Sequence, residues 1–371
     1  MNKALLAKLI KTSSGGSALS QLGKRDYAST GIPILDLVLS GKLHGGLSHG
    51  WNFFAAPSKH FKTALLLMAI AGWQKKHPNG TVIFYDSESG SDDLTYFKNF
   101  GVNIDNVLHV PVYNIEDWTA DFAQKLEAIS KGDEVMVAID SVGNTPSKKE
   151  IANALTNSDK QDMTRAKALK SMTRIVTPHI NAKEIPVVAV NHVYETQEMY
   201  SKTIMSGGTG PMLSANNVVF ITRSQIKEKV GKKDELAGYQ FTLVIDKSRK
   251  IREKSKFPLT VTYDGGIYKY SSIFEHALKY GYITSPKKGW YEYKGKKMRR
   301  AAIAAEDSIF EEILEDPDFC LLVEGSYTLD HELREAARAL ALTRNINIEE
   351  EVEAVDEEDE DAQELRELME D

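Results

Sequence analysis

The chain has 371 residues, 42% of them hydrophobic, with one cysteine and a net charge of −7. That length exceeds a usual single core and predicts one large domain with smaller additions. A lone Cys320 excludes an internal disulfide framework, and the nine histidines never reach a CxxC or HxxxH spacing, which excludes a Cys/His metal cluster. The charge is uneven. Glu349 to Asp371 hold fourteen acidic residues against one basic residue, Arg366, a local balance of −13 that leaves the remaining chain positive. A basic body with an acidic tail suits a polyanion-binding protein whose tail competes for the same surface. A disordered, solubilising tail is the alternative.

In "MNKALLAKLIKTSSGG" Lys8 interrupts the apolar run and no small-residue cleavage site follows, so no leader is expected. No stretch is long enough to span a bilayer, and a cytoplasmic protein is expected. Leu5, Leu6, Leu9 and Ile10 recur at helical spacing before "SSGGS", which predicts a short amphipathic arm on a tether over residues 1–28. A lone helix of that length is marginal in water and is expected to dock on something. Between residues 50 and 265 strand-length apolar runs alternate with longer helical segments, the pattern of a parallel sheet with crossover helices, within an expected core of residues 29–265. The predicted strands are "WNFFAA", "TVIFYDS", "EVMVAIDS", "IPVVAVNH", "NVVFITRS", "YQFTLVID" and "PLTVTYD". Most lack alternation, so both sheet faces should be covered. Residues 266–345, with "FEHALKYGY" and the basic "KKGWYEYKGKKMRR", predict a small C-terminal domain, and residues 346–371 an acidic disordered tail.

"WNFFAAPSKHFKTALLLMAIAGW" reads strand, turn, helix, with Lys62-Thr63 at the helix start. In a phosphate loop of the GxxxxGK[ST] type, backbone N–H groups ring the phosphates, the Lys neutralises the outer two and the Thr hydroxyl binds Mg²⁺. The candidate loop is Ala56, Pro57, Ser58, Lys59, His60, Phe61, Lys62 and Thr63, with Ala56 and Phe61 where the pattern has glycine. Alone the match is weak, and a plain turn before a buried helix is the alternative. If residue 61 sits at positive φ, Phe costs about 1–2 kcal/mol there; at negative φ it is free. Pro57 fixes one further dihedral and replaces part of the shape that glycine would give.

Two strand ends strengthen the loop. "VMVAIDS" closes in Asp140-Ser141, the form in which a carboxylate serves Mg²⁺, and "VIFYDSES" places Glu88 where it can orient an attacking water, with Asp86 on the same strand face. After a further strand and His192, residues 193–217 are too polar and Gly-rich for core. Loops this long are usually functional or disordered. Lys202 suits phosphate, Tyr194 and Tyr200 suit stacking on bases, and Gly207 and Gly208 suit close backbone approach; a mobile surface loop is the alternative. Thr145 to Asp159 predicts a first polar loop, and Arg165, Lys167, Lys170 and Arg174 share a helix at three- and four-residue spacing as a basic, phosphate-contacting row or simply a solvated one.

These residues resemble the RecA-type recombinases, most closely the UvsX recombinases of T-even-like bacteriophages. The resemblance covers most of the chain and rests on "STGIPILDLVLSGKLHGGL", on "PSKHFKT", which shares with that group a Phe before the Lys, on "KKEI" and "DMTRAKALKSMTRIVTP", and on "VNHVYETQEMYSKTIMSGGTGP". It implies an α/β, RecA-like P-loop ATPase core with a mostly parallel central sheet and an N-terminal oligomerisation arm. It also implies that Glu88 activates water, Asp140 and Thr63 serve Mg²⁺, and Tyr96 stacks on adenine. His192 stands where many bacterial relatives carry a Gln that senses the γ-phosphate; a structural His bonded to nearby backbone is the alternative. Lys247 and Arg249 resemble the basic pair that reaches a neighbouring subunit's ATP. The implied protein is a DNA-dependent ATPase that takes ATP and Mg²⁺, forms helical filaments on single-stranded DNA, pairs them with homologous duplex and exchanges strands, in the host cytoplasm if phage-encoded. Its implied partners are a single-strand-binding protein and a recombination mediator. Competing readings are a ring-forming hexameric helicase on the same core, or a non-hydrolysing filament or mediator protein, against which Lys62, Glu88 and Asp140 argue.

Overall fold

A computed structural model of the chain describes residues 25–88, 94–156, 164–195, 203–230 and 233–346, together with Leu5, Lys8 and Lys11. Most of the expected arm and all of the tail after residue 346 lie outside the described residues, as do Tyr200 and Lys202.

The strands in chain order are β1 (Gly50–Ala55), β2 (Thr81–Asp86), β3 (Val107–Pro111), β4 (Val135–Asp140), β5 (Pro186–Asn191), β6 (Val193–Glu195), β7 (Thr203–Met205), β8 (Asn217–Val230), β9 (Lys233–Ser248), β10 (Lys256–Thr262) and β11 (Gly266–Ile267). Nine of them form one sheet in the order β11-β10-β9-β8-β1-β5-β4-β2-β3. The run from β3 to β8 is parallel and the run from β8 to β11 antiparallel. All seven strands expected from the sequence are present. Two strands of the sheet were not expected: the two-residue β11 and β3, a short edge strand whose apolar run His109 interrupts and whose Leu108 is exposed.

Alternate residues of the same strands feed two cores. Phe54, Val82, Phe84, Met136, Ala138, Val188 and Val190 face one, while Trp51, Phe53, Ile83, Tyr85, Val137, Ile139, Val187 and Ala189 face the other. The first face is covered by the helix Lys62–Lys76 through Leu65, Leu66, Leu67 and Ile70. The second is covered by the helices Ile115–Ala128, through Trp118 and Phe122, and Thr164–Lys183, through Leu169, Met172, Val176 and Ile180. A strand covered on both faces must be apolar at every position, which is why these segments do not alternate. Each fully buried side chain of this kind contributes about 1.5–3 kcal/mol.

Thr145 to Asp159, expected as a polar loop, contains the helix Lys148–Leu155. Its cause is local: the Ser147 hydroxyl accepts from the Glu150 N–H while the Glu150 carboxylate accepts from the Ser147 N–H, a reciprocal cap that satisfies two orphan donors. The C-terminal region adds a three-stranded sheet, Thr284–Lys287, Trp290–Tyr293 and Lys296–Met298, and helices that include Asp307–Glu315, Pro317–Tyr327 and His331–Thr343. It is stitched to the core. β11 extends the main sheet past residue 265, Arg252 N–H donates to Tyr327 O at 2.8 Å, and Leu43 N–H donates to the half-buried Glu324 carboxylate at 2.9 Å.

Candidate nucleotide and nucleic-acid site

The C-terminal ends of β1, β2, β4 and β5 open on one edge of the sheet, the place where parallel strands present loops to ligands. The register sets Asp86 beside Asp140 and Ala55 beside Asn191, so the segments that follow these strands converge.

After β1 the buried Ala56 donates its N–H to Asn191 O at 3.1 Å. Ser58 and Lys59 are exposed, and His60 is buried with Nδ1 2.8 Å from Ser58 O. Burial lowers the His60 pKa. Phe61 has φ of 63° and Lys59 φ of 62°, so the strained alternative for Phe61 is the observed one. Each left-handed non-glycine residue costs about 1–2 kcal/mol. The Phe61 ring lies stacked on Phe241, centroids 4.8 Å apart at 15°, and meets Phe100 edge-on, contacts that offset part of this cost. At the helix start Lys62 is buried and its Nζ donates to Pro57 O at 2.6 Å, while the Thr63 hydroxyl donates to Asp140 Oδ2 at 2.7 Å.

Burial raises the Asp140 pKa to about 7, with the Thr63 hydrogen bond opposing and Glu88 and Asp86 adding to the rise. Burial also lowers the Lys62 pKa. A buried carboxylate that accepts from a threonine hydroxyl, with the Lys62 charge nearby, fits Mg²⁺. Among the described residues no group of three or more His, Cys, Asp or Glu side chains forms a metal cage. Mg²⁺ bound here would therefore complete its shell from phosphate and water, as it does in most phosphate sites.

Glu88 gathers its partners on one oxygen. Oε1 accepts from Ser141 Oγ at 2.5 Å and Asn144 Nδ2 at 2.8 Å, and lies 3.1 Å from His192 Nε2. The His192 contact is the main cause that holds the Glu88 carboxyl below its usual pKa, against the burial that raises it. An ionised Glu88 is the form a base requires. The His192 ring thus meets a carboxylate, not the nearby backbone of the alternative reading. Asp86, which is buried, accepts from the Glu88 N–H at 2.9 Å and lies 3.1 Å from His109 Nε2, so it anchors the strand end that carries Glu88. Tyr96, on the short helix Leu94–Asn99, packs edge-on against Phe100, and burial, then Asp140, raises its pKa. Ser141 and Asn144 were not singled out from the sequence. They sit one and four residues past the Asp140 strand end, where no spacing rule marks a contact to Glu88.

The second candidate surface begins at His192. β6 and β7 form a hairpin, Val193 opposite Met205, with Tyr194 exposed upon it. Gly207 and Gly208 have φ of 92° and 78° and lead into the helix Thr209–Ser214. A Cβ at Gly207 would meet Leu169 Cδ1 at 2.7 Å, and one at Gly210 would meet Lys170 Cα at 2.6 Å. The close approach that these glycines provide is therefore to the helix Thr164–Lys183. On that helix Lys167, Lys170 and Arg174 are exposed, whereas Arg165 turns inward. Its guanidinium donates to Thr145 O at 3.1 Å, to Gly143 O and to Ser206 Oγ at 3.4 Å, bridging the roots of both candidate loops. Lys247 Nζ donates to Met212 O at 2.7 Å and Leu213 O at 3.0 Å, the end of the helix Thr209–Ser214, and Arg249 is exposed. To reach a neighbouring protomer, Lys247 must exchange those two carbonyls.

The separate placement of Arg165 and Lys170 predicts different effects on DNA. Lys170→Ala should weaken single-strand binding and reduce the salt slope by about one unit, as loss of a phosphate contact does. Arg165→Ala should weaken binding at an unchanged slope, because it loosens the loops without removing a phosphate contact. Anisotropy titrations across a salt series separate the two; a reduced slope for Arg165→Ala would return it to the DNA surface.

The loop between β1 and its helix, the acidic strand ends and the parallel sheet define a P-loop nucleotide-binding core. Residues 3–267 match the family described as RecA N-terminal domain, and the chain belongs to the RecA family. It is 44% identical over 292 residues to the "Recombination and repair protein" of Enterobacteria phage T4, spanning 77% of this chain and 73% of that one. It is 25% identical over 309 residues to "Protein RecA" of Leptospira biflexa, spanning 82% and 75%. To "Protein RecA" of Francisella tularensis subsp. novicida it is 26% identical over 327 residues, spanning 84% and 86%.

Proposed function

We propose that this RecA-type chain is an ATP-dependent DNA recombinase, which assembles on single-stranded DNA, pairs it with homologous duplex and exchanges strands. The observation that carries the reading is the shared Glu88 carboxylate. One oxygen is held both by His192, at the root of the β6–β7 hairpin, and by Asn144, at the root of the other candidate loop. A change at Glu88 and a change at either loop root are therefore linked through one carboxylate.

In the proposed reaction Lys62 exchanges Pro57 O for phosphate oxygens, and the loop N–H groups ring the rest. Thr63 and Asp140 would hold Mg²⁺, which when bound supplies positive charge to the phosphates. Glu88 accepts the proton of the attacking water, and His192, bonded to it, carries the state of the site to the hairpin. Exposed Tyr194, Lys167, Lys170 and Arg174 supply stacking and backbone charge, which read no sequence. A recombinase needs that indifference, because base pairing itself must test homology. Lys247 and Arg249 would complete a neighbour's nucleotide site in trans, and the arm of residues 1–28 would join protomers head to tail in an open filament. A single-strand-binding protein and a mediator are the expected partners, the cytoplasm the expected location, and the acidic tail a competitor for the basic surface.

The test is ATP hydrolysis with and without single-stranded DNA. A rise of tenfold or more, about 1.4 kcal/mol off the activation barrier, supports the reading. An unchanged rate would leave a nucleotide-binding scaffold.

A further inference from the structure

We propose that Arg223 is a positioning residue that braces the glycine-free phosphate loop from outside; the inference rests on that loop being the nucleotide site. A loop of this kind normally uses glycine where its backbone turns left-handed. Here Lys59 and Phe61 occupy such turns two residues apart. Something must hold them there before a nucleotide arrives, since a strained backbone persists only where its surroundings over-determine it.

The surroundings come from the β8–β9 ribbon. β8 pairs with β1 as far as Phe220 opposite Ala55, and then runs on beside the departing loop. Arg223 on β8 is directly opposite Phe241 on β9, and Tyr239 lies two residues from Phe241 on the same strand. Cross-strand partners and residues two apart share a sheet face, so all three side chains point the same way. That face meets the loop at both of its strained residues. Arg223 Nη1 donates to Lys59 O at 3.1 Å, and the Phe241 ring stacks on Phe61. The guanidinium is itself held over the Tyr239 ring, 5.0 Å from its centroid. Arg223 thus grips the carbonyl of one left-handed residue while its strand partner clasps the ring of the other. The strand pair supports from outside two left-handed turns that glycine would adopt without strain.

Four forms of the full-length protein test this: wild type, Arg223→Ala, Lys59→Gly and the double variant. Amide hydrogen exchange over residues 56–63 without nucleotide reads the brace directly, and ATP affinity reads its consequence. Arg223→Ala should speed exchange in that segment and weaken ATP binding about tenfold, the scale of one charge-assisted hydrogen bond. In the Lys59→Gly background, where the left-handed turn carries no penalty, the same replacement should cost less than about threefold. Unchanged exchange in Arg223→Ala overturns the proposal. So does an equal loss of affinity in both backgrounds, which would mean that Arg223 acts on the nucleotide itself. If exchange responds as expected but the wild type binds no ATP, the brace stands and the nucleotide reading fails. Thermal unfolding guards against a general loss of structure, which half-exposed Arg223 is not expected to cause.

Discussion

Glu88→Gln is expected to lower the turnover of ATP by about a hundredfold or more while ATP and single-stranded DNA stay bound, the range that a positioned general base supplies. The amide oxygen can still accept from Ser141, Asn144 and His192, so the hydrogen-bonded frame around Oε1 survives the change. What is lost is the negative charge proposed to take a proton from water. That same charge raises the Asp140 pKa, so its removal relieves repulsion in the pocket and should not weaken the hold on a polyanion. With turnover blocked, protein should remain on DNA for longer after dilution. Steady-state hydrolysis and the dissociation rate from labelled DNA measure both effects. Turnover within about threefold of wild type, or faster dissociation, would remove Glu88 from the chemistry.

Lys62→Ala is expected to weaken ATP binding by about a hundredfold, near 2.8 kcal/mol, as loss of a charge-assisted contact to phosphate would. Its effect on the fold should be small and can favour the fold. Lys62 is buried and burial lowers its pKa, so its ammonium is held at a desolvation cost, with Pro57 O as its hydrogen-bond partner. Alanine at the first position of the helix Lys62–Lys76 is also the best helix former. Nucleotide titration beside thermal unfolding checks the pair of outcomes. ATP affinity within about threefold of wild type would place the phosphates elsewhere. A large fall in thermal stability would instead make Lys62 a structural residue.

Much of the nucleotide side was legible in the sequence because its signals are local. A strand, a turn and a Lys-Thr at a helix start can be read from adjacent residues, as can acidic residues that close apolar runs. The sign of φ at Phe61 could not be read, since it depends on Phe241 waiting 180 positions away on another strand. Arg223 and Asn144 were invisible for the same reason: their contacts are set by sheet register, which no single segment carries. The helix Lys148–Leu155 is a different case. Its "SKKE" reciprocal cap is a sequence signal, but the segment is polar and carries few apolar residues to mark a buried face. Arg165 illustrates the limit of reading a basic row by spacing alone. It shares its helix with Lys167, Lys170 and Arg174, but two carbonyl groups of the segment after β4 and the Ser206 hydroxyl turn it inward.

The loop departures also give the proposed coupling its physical form. Asn191 at the end of β5 receives the Ala56 N–H on its backbone carbonyl, while its side-chain amide donates to Ser206 O and accepts from the His192 N–H, so one buried residue touches both the phosphate loop and the hairpin root. That hydrogen-bonded route runs at a strand end, beside the Glu88 carboxylate that His192 and Asn144 share. Sites linked in this way are expected to bias each other reciprocally in binding free energy.

The most direct measurement is the affinity of the purified protein for a single-stranded oligonucleotide in a slowly hydrolysed ATP analogue, in ADP and without nucleotide, at one salt concentration. The account predicts binding at least tenfold tighter with the ATP analogue than in either other state, about 1.4 kcal/mol or more of coupling. Equal affinity in all three would contradict it.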